Sequence, residues 1–160
     1  MLFGTGDVLL NNIAWLLRRL PVFGVFGDGR YGIQPVFVED LAAQMVAHGE
    51  RRDPVIQDAV GPETYAYRDL VLLLRAHLGS RARLMSVPPV FGLVAGAVLS
   101  RLVHDVLITR DEIEGLMSNL LVSDAPPPCP TKLSEWLTTH ADELGRKYAS
   151  EVGRHYRPRP

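Results

Sequence analysis

The side chains able to do chemistry are few, and their spacing excludes more than it selects. Five histidines (His48, His77, His104, His140 and His155) are scattered, and no two stand at a metal-ligand spacing; each reads as a solvated or rim residue. Cys129 is the single cysteine, so neither an internal disulfide nor a multi-cysteine zinc site is available. Set among Pro126, Pro127, Pro128 and Pro130, it reads as a linker residue. Lys132 and Lys147 are the only lysines, and neither follows a tyrosine by four positions, so a Tyr-x-x-x-Lys proton-relay pair is absent. Gly-x-Ser-x-Gly, His-Glu-x-x-His and the P-loop are absent too. Asp111, Glu112 and Glu114 cluster, but Thr109 to Glu112 forms a capping box and Ile108 with Ile113 a hydrophobic staple, which assigns two of them to a helix start.

Two glycine-rich turns remain. Gly24-Val-Phe-Gly27-Asp-Gly29 has the glycine content of a phosphate cradle in the order G-x-x-G-x-G. A strand follows it, whereas phosphate binding needs a helix N-terminus, so the segment reads as a turn. Gly4-Thr-Gly-Asp7 does hand over to a helix, with Asp7 as its N-cap. Asn11 and Asn12 lie just inside that helix. Solvent-facing asparagine is the commoner reading, and the lining of a cleft behind the turn is the other.

The elements that position these residues follow from periodicity. Leu9, Ile13, Leu16, Leu17 and Leu20 mark a helix stopped by Pro21. Gly27 to Ala43 reads as loop, short strand and helix start, with Glu39 and Asp40 in the first turn. Leu41, Ala42, Met45 and Val46 form the apolar stripe expected to pack that helix down. Val55 to Val60 and Arg83 to Val87 read as strands, and Leu70, Val71, Leu73, Leu74 and Leu78 as a helix closed by Gly79. Val90 to Val103 reads as a buried helix, and Leu133 through Tyr148 as a C-terminal amphipathic one. Residues 1–153 make the folded part and 154–160 a frayed tail. Six helices against three or four short strands is too little sheet for a self-contained α/β domain, so the chain reads as part of something larger.

Composition bounds the rest. A chain of 160 residues fits one domain, and a formal net charge of −1 gives no electrostatic case for nucleic acid. The longest apolar run, Val90 to Leu99, is about half the ~20 residues of a membrane helix. No signal peptide opens the chain, and a soluble cytoplasmic protein is expected.

Four stretches carry a resemblance. Leu2-Phe-Gly-Thr-Gly-Asp7 is similar to a "V-F/Y-G-P-G-D" turn. Phe26-Gly-Asp-Gly-Arg30 through Gln34-Pro-Val-Phe-Val-Glu-Asp-Leu-Ala42 is similar to "GDG…QPVHVDDVA". Val60-Gly-Pro-Glu63 through Tyr67-Arg-Asp-Leu70 is similar to "GGPE…TYREL", and Val87-Pro-Pro89 to the opening of the C-terminal helices. Together they resemble the C-terminal half of the extended and atypical short-chain dehydrogenase/reductases, nearest to NAD(P)-binding epimerase/dehydratase-like proteins related to an accessory subunit of respiratory complex I. Departures are Thr5 for proline, Phe37 for histidine and Ala66 for the usual threonine cap.

The resemblance implies an α/β fold: the C-terminal portion of a Rossmann-like NAD(P)-binding fold, helix-rich, with few short strands and without the N-terminal nucleotide-binding strands. It implies that Gly4 and Thr5 border the cofactor, and that Asn11, Asn12, Arg30 and Gln34 face the substrate. The guanidinium of Arg30 suits a phosphate or carboxylate. NAD(P) is the cofactor of the full-length family. This chain, lacking the glycine-rich loop and the Tyr-x-x-x-Lys pair, is expected to bind none alone. Two readings result: a truncated substrate-binding portion inactive by itself, or a non-enzymatic module docking through an apolar face on a nucleotide-binding half or on its own copy.

Overall fold

The computed structural model describes residues 1–88 and 110–150. Among them the chain is mixed α/β, with β1 (Leu2–Phe3), α1 (Leu9–Arg19), β2 (Val22–Phe26), β3 (Gly32–Ile33), β4 (Val36–Phe37), α2 (Val38–Gly49), β5 (Tyr65–Ala66), α3 (Tyr67–His77), β6 (Arg83–Val87), α4 (Arg110–Met117) and α5 (Leu133–His140). The expected helix over Val90 to Val103, Thr109 of the capping box and the tail lie outside the described residues.

The strands form three two-stranded sheets: β1 with β4 and β2 with β6, both parallel, and β3 with β5 antiparallel. Parallel strands are normally covered on both faces. Here Phe23 and Val25 of β2 turn into the core, while Val22 of β2 and Met85 of β6 stay exposed. The core joins α1 (Leu10, Ile13, Ala14, Leu17), α3 (Leu70, Val71, Leu74) and α5 (Leu133, Leu137) to Phe3, Val25 and Ile33. Phe3 stands at its centre, its ring 5.4 Å from Phe37 and 5.7 Å from Trp136.

The glycine turn of 27–29 serves α3. The Gly29 carbonyl accepts from Arg68 N at 3.0 Å and the Tyr31 carbonyl from Tyr67 N at 3.0 Å. These two bonds satisfy orphan amides that Ala66, with no side-chain oxygen, leaves open at the helix start. The N-terminus of α3 is therefore closed by main-chain carbonyls.

Four expectations are corrected. Helix α2 has no buried residue, so its apolar stripe is not packed down: Met45 and Val46 are 67% and 66% exposed, because no other described element covers that side. Val55 to Val60 is irregular, and Ile56 stands fully exposed. The last helix ends at His140; the chain goes on as turns over 141–145, with Gly145 at φ +69° and the carbonyls of Ala141, Leu144 and Gly145 accepting from Arg18 and Arg19 of α1. Cys129 is fully buried, and its segment is held from several sides. Thr131 N donates to Asp40 Oδ2 at 2.8 Å, Gln44 Nε2 to the Pro128 carbonyl at 3.2 Å, and Cys129 N to the Val60 carbonyl at 3.4 Å. The proline run is a fixed wall of the fold. Burial, with the Asp40 carboxylate nearby, pushes the Cys129 thiol above its usual range and keeps it protonated.

Candidate functional site

A cleft of about 290 Å³ opens between the turn before α1 and the segment after α5. It brings together three residues expected at the site, Gly4, Thr5 and Asn11, with Asp7, His140, Glu143, Lys147 and Tyr148. The turn is set by its own sequence. Gly4 has φ +148°, and a Cβ there would lie 2.6 Å from Val38 Cγ1, so only glycine fits between β1 and α2. Asp7 Oδ2 accepts from Leu10 N at 2.6 Å, the cap bond expected of it, from two residues before α1 begins at Leu9.

The opposite wall is aromatic and charged. Trp136 and His140 stack at 4.3 Å with their planes 4° apart. His140 Nδ1 lies 2.9 Å from the Trp136 carbonyl. Nδ1 also lies 2.8 Å from Thr139 Oγ1, so the ring is held against its own helix and its Nε2 edge is the one left to face the cleft. The cleft thus presents the His140 ring, one ammonium on Lys147 and the Glu143 carboxylate, beside the Asp7 carboxylate that caps α1. It can hold a polar ligand. Among the described residues no group of three His, Cys, Asp or Glu side chains could hold a metal ion.

Asn11 and Asn12 bind the chain itself. Asn11 Nδ2 donates to the Lys147 carbonyl at 2.9 Å, and its Oδ1 accepts from Gly145 N at 2.9 Å. Asn12 pairs with Ala149 in the same two-point way, at 2.8 and 2.9 Å. One turn and more along the same face, Arg18 donates to the carbonyls of Ala141 and Leu144, and Arg19 to those of Gly145 and Arg146. Trp15 meets Tyr148 edge to face at 5.4 Å, with the Arg19 guanidinium 4.6 Å above the indole. Sequence reasoning missed Arg18, Arg19 and Gly145 as partners of this segment. The available signal was the spacing of seven, Asn11 to Arg18 and Asn12 to Arg19, which puts four main-chain-binding side chains on one face.

Arg30 and Gln34 lie elsewhere. The Arg30 side chain is 88% exposed and leans on Asp28 at 3.8 Å, an exposed pair of small energetic weight. Gln34 is buried. Its Nε2 donates to the Gly61 carbonyl at 2.8 Å and its Oε1 accepts from Ser123 N at 3.1 Å, so its carboxamide ties three segments together. Neither residue lines the cleft.

A second polar cluster was also missed. Glu63 accepts from Ser134 N at 3.0 Å and from Ser134 Oγ at 2.5 Å, capping α5 from across the fold. Burial pushes the Glu63 carboxyl up, but the two Ser134 bonds, with Tyr65 and Lys132, outweigh it and hold the group below its ordinary range. Tyr31 and Tyr67 stack at 5.2 Å, and burial raises both hydroxyls far above their usual value. Both stay neutral and structural.

Comparison with protein-family models and with curated proteins finds no match for this chain.

Proposed function

We propose that this chain is the substrate-side portion of an NAD(P)-dependent epimerase/dehydratase-like or reductase-like protein of the extended or atypical short-chain dehydrogenase/reductase type, without hydride transfer of its own. The observation that carries the reading is the cleft, where the glycine turn before α1 (Gly4, Thr5) and Asn11 meet the C-terminal segment. In such a fold, this turn and the C-terminal elements are the parts that border cofactor and substrate. The parallel pairing of β1 with β4 supports the same reading, since two-residue parallel strands rarely stand alone. The sequence holds neither a Tyr-x-x-x-Lys pair nor a glycine loop leading into a helix, other than the turn at 4–7. NADH or NADPH titrated calorimetrically into the isolated chain is expected to give no binding heat. Micromolar affinity would sink the reading.

A second reading is an interaction module or accessory subunit that docks on a nucleotide-binding partner or on its own copy. Helix α2 favours it, since Val38, Met45 and Val46 stand exposed on a helix with no buried residue. Among the described residues no helix is long and apolar enough to cross a membrane, so these side chains are not part of a described span. Light scattering on the purified chain tests its self-docking form: a stable monomer at every concentration counts against docking on its own copy.

A further inference from the structure

We propose that residues 141–149 form a strap that opens from α1 as one unit and sets access to the cleft. The inference is independent of what the cleft holds. Three observations carry it. First, the strap is fastened by side chains. Eight hydrogen bonds of 2.8 to 3.0 Å run between its main chain and Asn11, Asn12, Arg18 and Arg19. Among the described residues its bonds between main-chain groups are local, Ala141 N to the Leu137 carbonyl and Glu143 N to that of His140.

Second, its apolar anchorage is thin. Ala141, Leu144 and Gly145 are buried, whereas Asp142, Glu143, Arg146 and Lys147 are exposed. Gly145 is the tightest point, because a Cβ there would lie 2.5 Å from Ala14 C and Trp15 N. Third, the strap forms one wall of the cleft through Glu143, Leu144, Lys147, Tyr148 and Ala149, while the other wall is the turn at Gly4 to Asp7.

The attachments overlap, which is why they release together. Arg18 ties positions 141 and 144, Arg19 ties 145 and 146, and Asn11 ties 145 and 147. Losing one anchor weakens the geometry of the next. The carbonyls of Arg146 and Lys147 are at the surface and those of Ala141, Leu144 and Gly145 are part-buried; all can exchange their partners for water, and of the core cluster only Leu144 moves with the strap. Segments held in this way open well below the free energy of global unfolding.

Amide hydrogen exchange on the full chain tests it. Gly145 and Ala149 donate to Asn11 and Asn12 and report the strap; Val71 and Leu74 in α3 report global unfolding. The strap amides are expected to exchange ~100-fold faster than those of α3, at a rate insensitive to dilute urea. Exchange of both sets at one rate would overturn the proposal. For access, acrylamide quenching of Trp136 is read in a Trp15→Phe background, which leaves one indole at the cleft wall. Adding Asn12→Ala is expected to raise the quenching constant. An unchanged constant, with strap exchange accelerated, would show an opening that does not control the cleft.

Discussion

Asn11 and Asn12 present carboxamides to a peptide main chain, pairing with Gly145, Lys147 and Ala149 as another peptide group would. Side chains used in this way are spoken for, and their first effect is on stability. The same is true of Glu63, whose carboxylate caps α5 through Ser134. Glu63→Gln is expected to destabilise the chain by about 1–2 kcal/mol at neutral pH, measured by urea unfolding. The folded value of Glu63 is depressed, so its contribution is complete above the ordinary glutamate range and is lost as pH falls through the depressed value. The difference between parent and variant should therefore shrink in acid; a gap independent of pH would refute the charge-based cap. Gly145→Ala forces a Cβ against the backbone of α1 at φ +69° and is expected to cost about 1–3 kcal/mol, with most of the effect in the strap's exchange rates. Wild-type protection in that variant would mean that the close approach is unimportant.

Helices whose apolar periodicity met a partner within the chain were legible in the sequence. Ile13 and Leu17 of α1 and Leu70, Val71 and Leu74 of α3 bury as their spacing predicts, whereas Leu9, expected on the same stripe, is 48% exposed and Leu10 is buried instead. Periodicity names an apolar face but not what covers it, and α2 is where the difference matters. Its stripe of Leu41, Ala42, Met45 and Val46 has the pattern of a packed helix, yet only Leu41 is even half-buried. The C-terminal pattern misled for another reason. Leu144 is buried and Tyr148 packs on Trp15, both at helical spacing, although α5 has ended at His140. Long-range side-chain to main-chain bonds from α1 hold them there; the spacing of seven on α1 marks the donors, but nothing local names the segment they bind. Of the six residues expected at the site, Gly4, Thr5 and Asn11 share the cleft, while Gln34 is engaged by Gly61 and Ser123 through contacts distant in sequence. Two substitutions separate the surface of α2 from the core. Met45→Lys is expected to change stability by no more than about 0.5 kcal/mol, and Leu74→Ala to cost about 2–5 kcal/mol. A loss above 1 kcal/mol for Met45→Lys, by the same urea assay, would show α2 packed against the chain.

Among the described residues, three two-stranded sheets and a helix without a buried residue leave apolar surface over. Val22 and Met85 on the parallel pair β2–β6, and Val38, Met45 and Val46 on α2, are apolar groups that a complete α/β layer would cover. Concentration-dependent association is expected in light scattering and should weaken in Met45→Lys. Association that the substitution leaves unchanged would assign the contact to another surface. The central claim is the proposed reading of the cleft, as the substrate side of a cofactor site whose nucleotide-binding groups lie outside this chain. NADPH fluorescence, followed as the purified chain is added, tests that claim most directly. The emission should stay unchanged through the micromolar range, and a saturable enhancement with a micromolar Kd would contradict it.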